Sequence, residues 1–413
     1  MEDRVKFLHC YGEKILIKDL HSQQGGKEMK KFKNVVAMAA VAVMGVATLA
    51  GCTGSKANDD KFYIGGIGPV TGGAAVYGTA VKNGAQIAVD EINAAGGING
   101  YQIEFKFEDD QADGESAINA YNTLKDWGMK ILMGTVTSGA CESVVPLTGD
   151  DGMYQLTPSG SAANLIEGEN VFQVCFTDPN QGAASAQYIS ENKVAEKVAI
   201  IYDSSDIYST GIYEKFVAEA EGKNFEIVET QYFTKDTKTD FSVQVQACKD
   251  SGADLLFLPI YYTEASMILT EMDEAGYDAT VFSCDGLDGI LSVDGFDKSL
   301  AEGAMLLTPF SADATDEKTV NFVKTYKEKY NEVPNQFAAD AYDAIYIIKA
   351  AIEKADAKPD MSIEELGDAL IAAMPEIKVD GITGEGMTWL ATGEVNKAPK
   401  AVVIKDGGYV SAE

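Results

Sequence analysis

Two short hydroxyl-rich segments carry the most chemistry in this chain. Thr135 to Gly139 follows the apolar run Ile131-Leu132-Met133, and Thr157 to Ser161 follows Tyr154-Gln155-Leu156. The pattern reads as strand, loop, helix, strand, loop and a further helix start. In an open parallel sheet, ligands bind at the loops beyond the carboxyl ends of the strands. Ser138, Ser159 and Ser161 therefore point to one small site. If each loop opens a helix, unpaired backbone N–H groups face the same space. Hydroxyls and amides together make a site for a small anion such as a carboxylate. Ser and Thr also cap helices, and the same residues can serve both roles.

What the chain lacks narrows the chemistry further. Among 413 residues, the only arginine is Arg4, and the only histidines are His9 and His21. Everything downstream is without histidine acid–base catalysis, most zinc sites and bidentate arginine recognition of carboxylate or phosphate. No enzyme, metal site or cofactor is expected. The net charge of −31 argues against a nucleic-acid partner. Cys10, Cys52, Cys141, Cys175, Cys248 and Cys284 show no metal-ligand spacing. Buried free thiols are expected for the last four, with a Cys141–Cys175 pairing left open.

The amino-terminal region reads as an export signal. Lys30, Lys31 and Lys33 precede an uncharged apolar stretch, Val35 to Leu49, and then Leu49-Ala50-Gly51-Cys52. The stretch is shorter than the ~20 residues that span a bilayer and fits a secretory core. It looks like the lipobox of bacterial lipoproteins, with Cys52 as the lipidated first residue. On this reading, residues 1–28 are a non-native extension before a start at Met29. Residues 29–51 are the signal, and 52–60 a polar tether.

From Phe62 onward, strands alternate with helices, which predicts an α/β fold of parallel sheets covered by helices. The alternation runs once to about residue 176 and restarts at Lys197. Each block has Tyr at its first helix start, in Val76-Tyr77-Gly78 and Ile207-Tyr208-Ser209. Two Rossmann-like lobes with a cleft between them are expected. Gly65-Gly66-Ile67-Gly68 follows a strand, but Pro69 and Thr71 interrupt any dinucleotide fingerprint.

Several segments in order carry a family resemblance: Gly68-Pro69-Val70-Thr71-Gly72, Gly84-Ala85-Gln86, Asp90 through Gly100, Leu156-Thr157-Pro158-Ser159 and Gly381-Ile382-Thr383-Gly384. Over residues 61 to 411 the chain resembles the leucine/isoleucine/valine-binding proteins, the type I periplasmic binding proteins of ABC importers. The resemblance implies two lobes joined by three crossings: 61–178 with 310–387, and 179–309 with 388–413. It implies a site in which Ser138, Ser159 and Ser161 hold an amino acid's carboxylate beside Tyr77. In the second lobe Tyr208 and Tyr261 form an aromatic wall and Asp285 takes the ammonium. Asp stands at 285 where Glu is common, one methylene shorter. Asp178 matches a hinge position and reads as a helix cap. Ala112 and Thr137 stand where some members have a disulfide. The function implied is a lipid-anchored receptor on the extracytoplasmic face of the membrane. It would pass an amino acid to ABC permease subunits and act as a monomer. The alternative is a sensing module of the same fold reporting to a membrane receptor.

Overall fold

The computed structural model describes residues 60–412; the expected extension, signal and Cys52 lie outside them. The first half alternates strand and α-helix as far as β4: β1 (Lys61–Gly68), α1 (Ala75–Ala94), β2 (Gln102–Asp109), α2 (Gly114–Trp127), β3 (Ile131–Gly134), α3 (Ser138–Asp150) and β4 (Gln155–Thr157), after which β5 (Val171–Gln173) follows without an α-helix between them. The strands form one all-parallel sheet in the order β2-β1-β3-β4-β5. β3 is apolar and buried at all four residues, as a strand covered on both faces must be.

α4 (Asp178–Glu191) leads into a second sheet. Its elements are β6 (Lys197–Asp203), α5 (Ile207–Ala220), β7 (Glu226–Phe233), α6 (Ser242–Asp250), β8 (Leu255–Leu258), α7 (Tyr262–Ala275), β9 (Thr280–Ser283) and β10 (Met305–Thr308). The chain then forms α8 (Glu317–Tyr330), α9 (Gln336–Ala355) and α10 (Ile363–Ala373). It returns to the second sheet as β11 (Lys400–Lys405) and β12 (Gly408–Ser411). The order is β12-β11-β10-β9-β8-β6-β7, with only the β10–β11 and β11–β12 pairs antiparallel.

Both sheets reverse direction of growth beside their first strand: β1 lies between β2 and β3, and β6 between β7 and β8. Such switch points open a crevice at the strands' carboxyl ends. Tyr77 follows β1, Ser138 follows β3, Tyr208 follows β6 and Tyr261 follows β8. The two crevices are the places where the expected site residues begin.

The late helices α8 to α10 connect β10 of the second sheet back to the first. α9 crosses α1, with Ala341, Ile345, Ile348 and Ile352 on its buried face. The crossing is close because of Gly84, where a Cβ would stand 1.9 Å from the Ala338 carbonyl oxygen. The Gly381–Gly384 turn is held by Asp343 of α9. Its carboxylate accepts from Ile382 N (3.0 Å), Thr383 N (2.9 Å) and Thr383 Oγ1 (2.6 Å). Nearby, Lys397 Nζ and Asp340 Oδ1 pair at 2.8 Å with both side chains buried. That pair ties α9 to the last stretch before β11.

One expectation fails after β4. No α-helix follows Ser159 to Ser161; the chain makes only a 3-10 turn at Ala163–Ile166. The backbone N–H groups of Ser161 and Ala162 both donate to Ser138 Oγ, at 3.1 and 3.2 Å. The loop is thus tied to the start of α3 instead of opening a helix of its own. Cys141, Cys175, Cys248 and Cys284 are buried and unpaired.

Gly84→Val forces side-chain atoms against the α9 backbone. Overpacking of this kind typically costs 1–3 kcal/mol. The denaturant midpoint should fall accordingly, whereas Gly139→Ala, whose Cβ meets nothing within 4 Å, should move it little.

Candidate functional site

The carboxyl ends of the two sheets meet around one small cavity. Its first wall carries Tyr77 from α1, Ser138 from α3, and Ser159 and Ser161 from the loop after β4. Its second wall carries Tyr208 at the start of α5, Tyr261 just before α7, and Asp285 just after β9. The structure therefore brings all seven sequence-selected residues to one place. It adds Val136, Thr137 and Phe337. Its volume is only about 10 Å³. That is room for about one water molecule, so anything larger enters only when the walls separate.

The first wall is a set of donors. α3 begins without a side-chain cap, so its first N–H groups are not taken up by Thr137 or Ser138. A helix start of this kind favours negative charge. Thr137 Oγ1 and Ser161 Oγ are buried and have no hydrogen-bond partner in the protein. Ser138 Oγ accepts from Ser161 N and Ala162 N, which leaves its own hydrogen free. Ser159 differs: its hydroxyl donates to the Val136 carbonyl at 2.8 Å. Thr157 anchors the loop from behind, donating to Thr135 O at 2.7 Å and accepting from Gly160 N at 2.7 Å.

The second wall is aromatic and acidic. The Tyr208 and Tyr261 rings stack with centroids 4.9 Å apart, and Tyr77 meets Tyr261 edge-on at 5.6 Å. Phe337, from the start of α9, lies over Tyr77 at 4.2 Å. Tyr208 Oη donates to Asp285 Oδ1 at 2.8 Å and accepts from Gly286 N at 2.9 Å. Residue 286 must be glycine, since a Cβ there would stand 2.6 Å from Tyr208 Oη and 2.7 Å from Ile260 O. Burial pushes the Asp285 carboxyl up to about 7, with Asp340 adding to the effect. The donors that reach it are neutral, so it retains an unmet demand for positive charge.

The walls also bond directly to each other. Tyr77 Oη donates to Gly286 O, and Tyr262 N donates to Tyr77 Oη at 3.2 Å. Gln336, at the start of α9, reaches across twice. Its N–H donates to Asp288 Oδ2 at 2.9 Å and its Nε2 to Asp285 O at 3.0 Å. Thr263 Oγ1 donates to Gly73 O at 2.6 Å at the outer edge.

Asp178 is not the cap that its position suggests. Thr177 caps α4, accepting from Asn180 N, and Asp178 is its first helical residue. Its side chain is wholly buried, and neither oxygen makes a hydrogen bond of good geometry. Burial holds its carboxyl well above the usual range; the nearby Ser161 hydroxyl only partly offsets this, and Asp285 and Asp206 reinforce it. It stands behind Ser161 and does not line the cavity. Of the residues the sequence reading left out, Thr137 adjoins the selected Ser138. Phe337 sits on the apolar stripe of α9, where a core role and a wall role look alike.

Residues 61–408 match the family model described as periplasmic binding protein. Leu/Ile/Val-binding protein homolog 3 of Brucella melitensis is 30% identical over 357 residues, covering 85% of this chain and 93% of the relative. The leucine-, isoleucine-, valine-, threonine- and alanine-binding protein of Pseudomonas aeruginosa is 28% identical, covering 74% and 82%. Among solved structures, the branched-chain amino acid transporter substrate-binding protein LivJ of Streptococcus pneumoniae, in complex with isoleucine, superposes with a TM-score of 0.77 at 30% identity. The match covers 86% of this chain and 99% of that one.

An ionised Asp285 is disfavoured in the fold, so its contribution depends on pH. The ordinary carboxyl value is 3.8 and the folded value about 7. Between these, the folded state holds a proton that the unfolded state has lost. Stability is thus full below about pH 4 and declines as pH rises through 7. Asp285→Asn, which keeps an acceptor for Tyr208, removes this decline. Its melting temperature should exceed that of the parent by about 2 °C or more at pH 8, and the gap should close by pH 4. Calorimetric scans across that range check it.

Proposed function

Because the chain belongs to the periplasmic binding protein family, whose members bind ligands without catalysis, we propose that it is a lipid-anchored extracytoplasmic receptor. It captures a branched-chain or similarly small apolar amino acid and delivers it to an ABC importer. The observation that carries this reading is the polarity of the cavity. An uncapped helix start and unpartnered hydroxyls stand on one wall, and a buried carboxylate stands on the other. A zwitterion satisfies both poles at once. Its carboxylate takes the α3 amides and the hydroxyls of Thr137, Ser138 and Ser161. Its ammonium takes Asp285, and its apolar side chain lies against Tyr77, Tyr208, Tyr261 and Phe337. The names of the relatives at about 30% identity support the same ligand class.

Three chain crossings, near residues 178, 310 and 388, serve as the hinge between lobes 61–178 with 310–387 and 179–309 with 388–413. With so little space in the closed cavity, loading proceeds by opening and closing about them.

Leaving a buried charge unpaired costs roughly 2–5 kcal/mol, or about 30-fold or more in affinity. In calorimetric titrations with leucine, isoleucine and valine, Asp285→Asn should weaken the best ligand by at least about 30-fold. Ser161→Ala loses a free donor and should cost roughly 1–3 kcal/mol. Ser159→Ala should cost less, because that hydroxyl is already engaged. Binding by Asp285→Asn within about threefold of the parent would refute a ligand ammonium at this residue.

The anchor rests on Leu49-Ala50-Gly51-Cys52. Two or more acyl chains hold a protein stably on a membrane, whereas one is marginal. Expressed in a bacterial host, the protein should fractionate with membranes and begin at a diacylglyceryl Cys52. Cys52→Ser should abolish that processing; a mature terminus elsewhere would rule the anchor out.

A further inference from the structure

Gln155 opens β4 behind the donor wall and is wholly buried. Burying an unpaired amide is costly, and here both ends of the amide are partnered. Its Nε2 donates to Gly134 O at 2.8 Å and to Cys141 Sγ at 3.3 Å. Its Oε1 accepts from Thr148 Oγ1 at 2.7 Å. Asn170 Nδ2 in turn donates to Thr148 Oγ1 at 3.0 Å and to Met153 O at 2.9 Å. One side chain thus holds the last residue of β3 and two points on α3 that lie about two turns apart. A buried polar network satisfied in this way is rigid.

What these contacts fix is the start of α3. Pro146 lies between Cys141 and Thr148, and a proline inside a helix removes a bond of the ladder and bends it. Gln155 splints the helix across that weak point. The first helical bond is Cys141 N to Thr137 O at 3.0 Å, so the N–H groups of Ser138, Gly139 and Ala140 have no acceptor within the helix. The carbonyls of the preceding loop are drawn to the rear: Gly134 O by Gln155, Thr135 O by Thr157 Oγ1 and Val136 O by Ser159 Oγ. A trans peptide plane points its C=O and N–H in opposite directions. Holding the Thr135 and Val136 carbonyls therefore turns the N–H groups of Val136 and Thr137, both in the cavity lining, away from that rear side.

We propose that Gln155 is a positioning residue for the carboxylate of the bound amino acid. It touches no ligand. It sets the angle at which α3 presents its first N–H groups, and with it the preference for a carboxylate over a neutral head group. The inference rests on the amino-acid reading above. Hydrogen bonds from N–H groups to a charged acceptor are strong and fall off steeply with misalignment. The ammonium pole, at Asp285 on the other wall, does not depend on α3. Loosening α3 should therefore weaken the hold on the carboxylate and spare the hold on the ammonium. A purely structural role for Gln155 would weaken both alike.

The test is calorimetry on the full protein with the best-binding of leucine, isoleucine and valine, and with the carboxamide of that amino acid measured by displacement. Gln155→Met keeps the length of the side chain and removes its amide. It should weaken the amino acid at least about 10-fold and the carboxamide by no more than about threefold. Thr148→Val removes the donor to Oε1 with little change of shape and should shift the same preference in the same direction. Thr148→Ser restores the hydroxyl and should match the parent. Should Gln155→Met fail to fold, the Thr148 pair decides in its place. The inference alone is overturned if Gln155→Met binds the amino acid within about threefold of the parent, or if acid and amide weaken equally. A parent protein that binds none of the three amino acids overturns the amino-acid reading, and the inference with it.

Discussion

Asp285 is a carboxylate folded into the meeting point of two sheets where only neutral groups answer it. Burying a charge without an opposite one is costly, and proteins usually respond by raising the pKa or supplying a partner. Here the first response is visible, with the carboxyl near 7. The surrounding architecture keeps it in place. Tyr208 donates to it, and Gly286 lets Tyr208 approach. The Asp285 N–H donates to Gln181 at 3.1 Å, and its carbonyl accepts from Gln336. A group held this firmly in an unfavourable state is a functional residue more often than a structural one.

Other buried acids in this protein show what answered burial looks like. Asp340 has Lys397 at 2.8 Å, and Asp343 has three donors from the Ile382–Thr383 turn. These fasten α9 to the late crossings and explain why Gly381 must be glycine, as a Cβ there would stand 2.3 Å from Asp343 Oδ2. Asp285 lines the small cavity and receives only neutral donors at its carboxyl, so its demand for charge stays unmet on the cavity side. The contrast between satisfied and unsatisfied carboxylates separates scaffold from site more sharply than burial does.

Much of this was legible in the sequence. The β/α alternation and its restart at Lys197 gave both sheets, because parallel strands need apolar runs and helical crossovers. Ser138 could be placed because ligand crevices lie beyond the carboxyl ends of parallel strands, whereas the site roles of Tyr77, Tyr208 and Tyr261 came from the family resemblance. What was not legible depended on where hydrogen bonds go. The loop at Ser159 to Ser161 looked like a helix start until its amides were seen to bond Ser138 Oγ. Thr137 entered only as a position where some relatives have a disulfide, yet its hydroxyl is buried and unpartnered in the cavity lining. Asp178 looked like a cap, and Thr177 does that work. Phe337 obeys the helical stripe of α9 and also closes the cavity, a double use that periodicity cannot separate.

The bonds that cross between the walls have a kinetic meaning. Tyr77 to Gly286, Gln336 to Asp285 and Asp288, and Thr263 to Gly73 all run between the two walls. A molecule inside cannot leave past them one contact at a time; they must give way together. Residence time is then governed by how often the cleft opens and only secondarily by how well the occupant fits. A change that strengthens one of these crossing bonds would slow departure without touching the occupant at all. Under the proposed role of delivery to an importer, release becomes something a docking partner imposes by prising the walls apart.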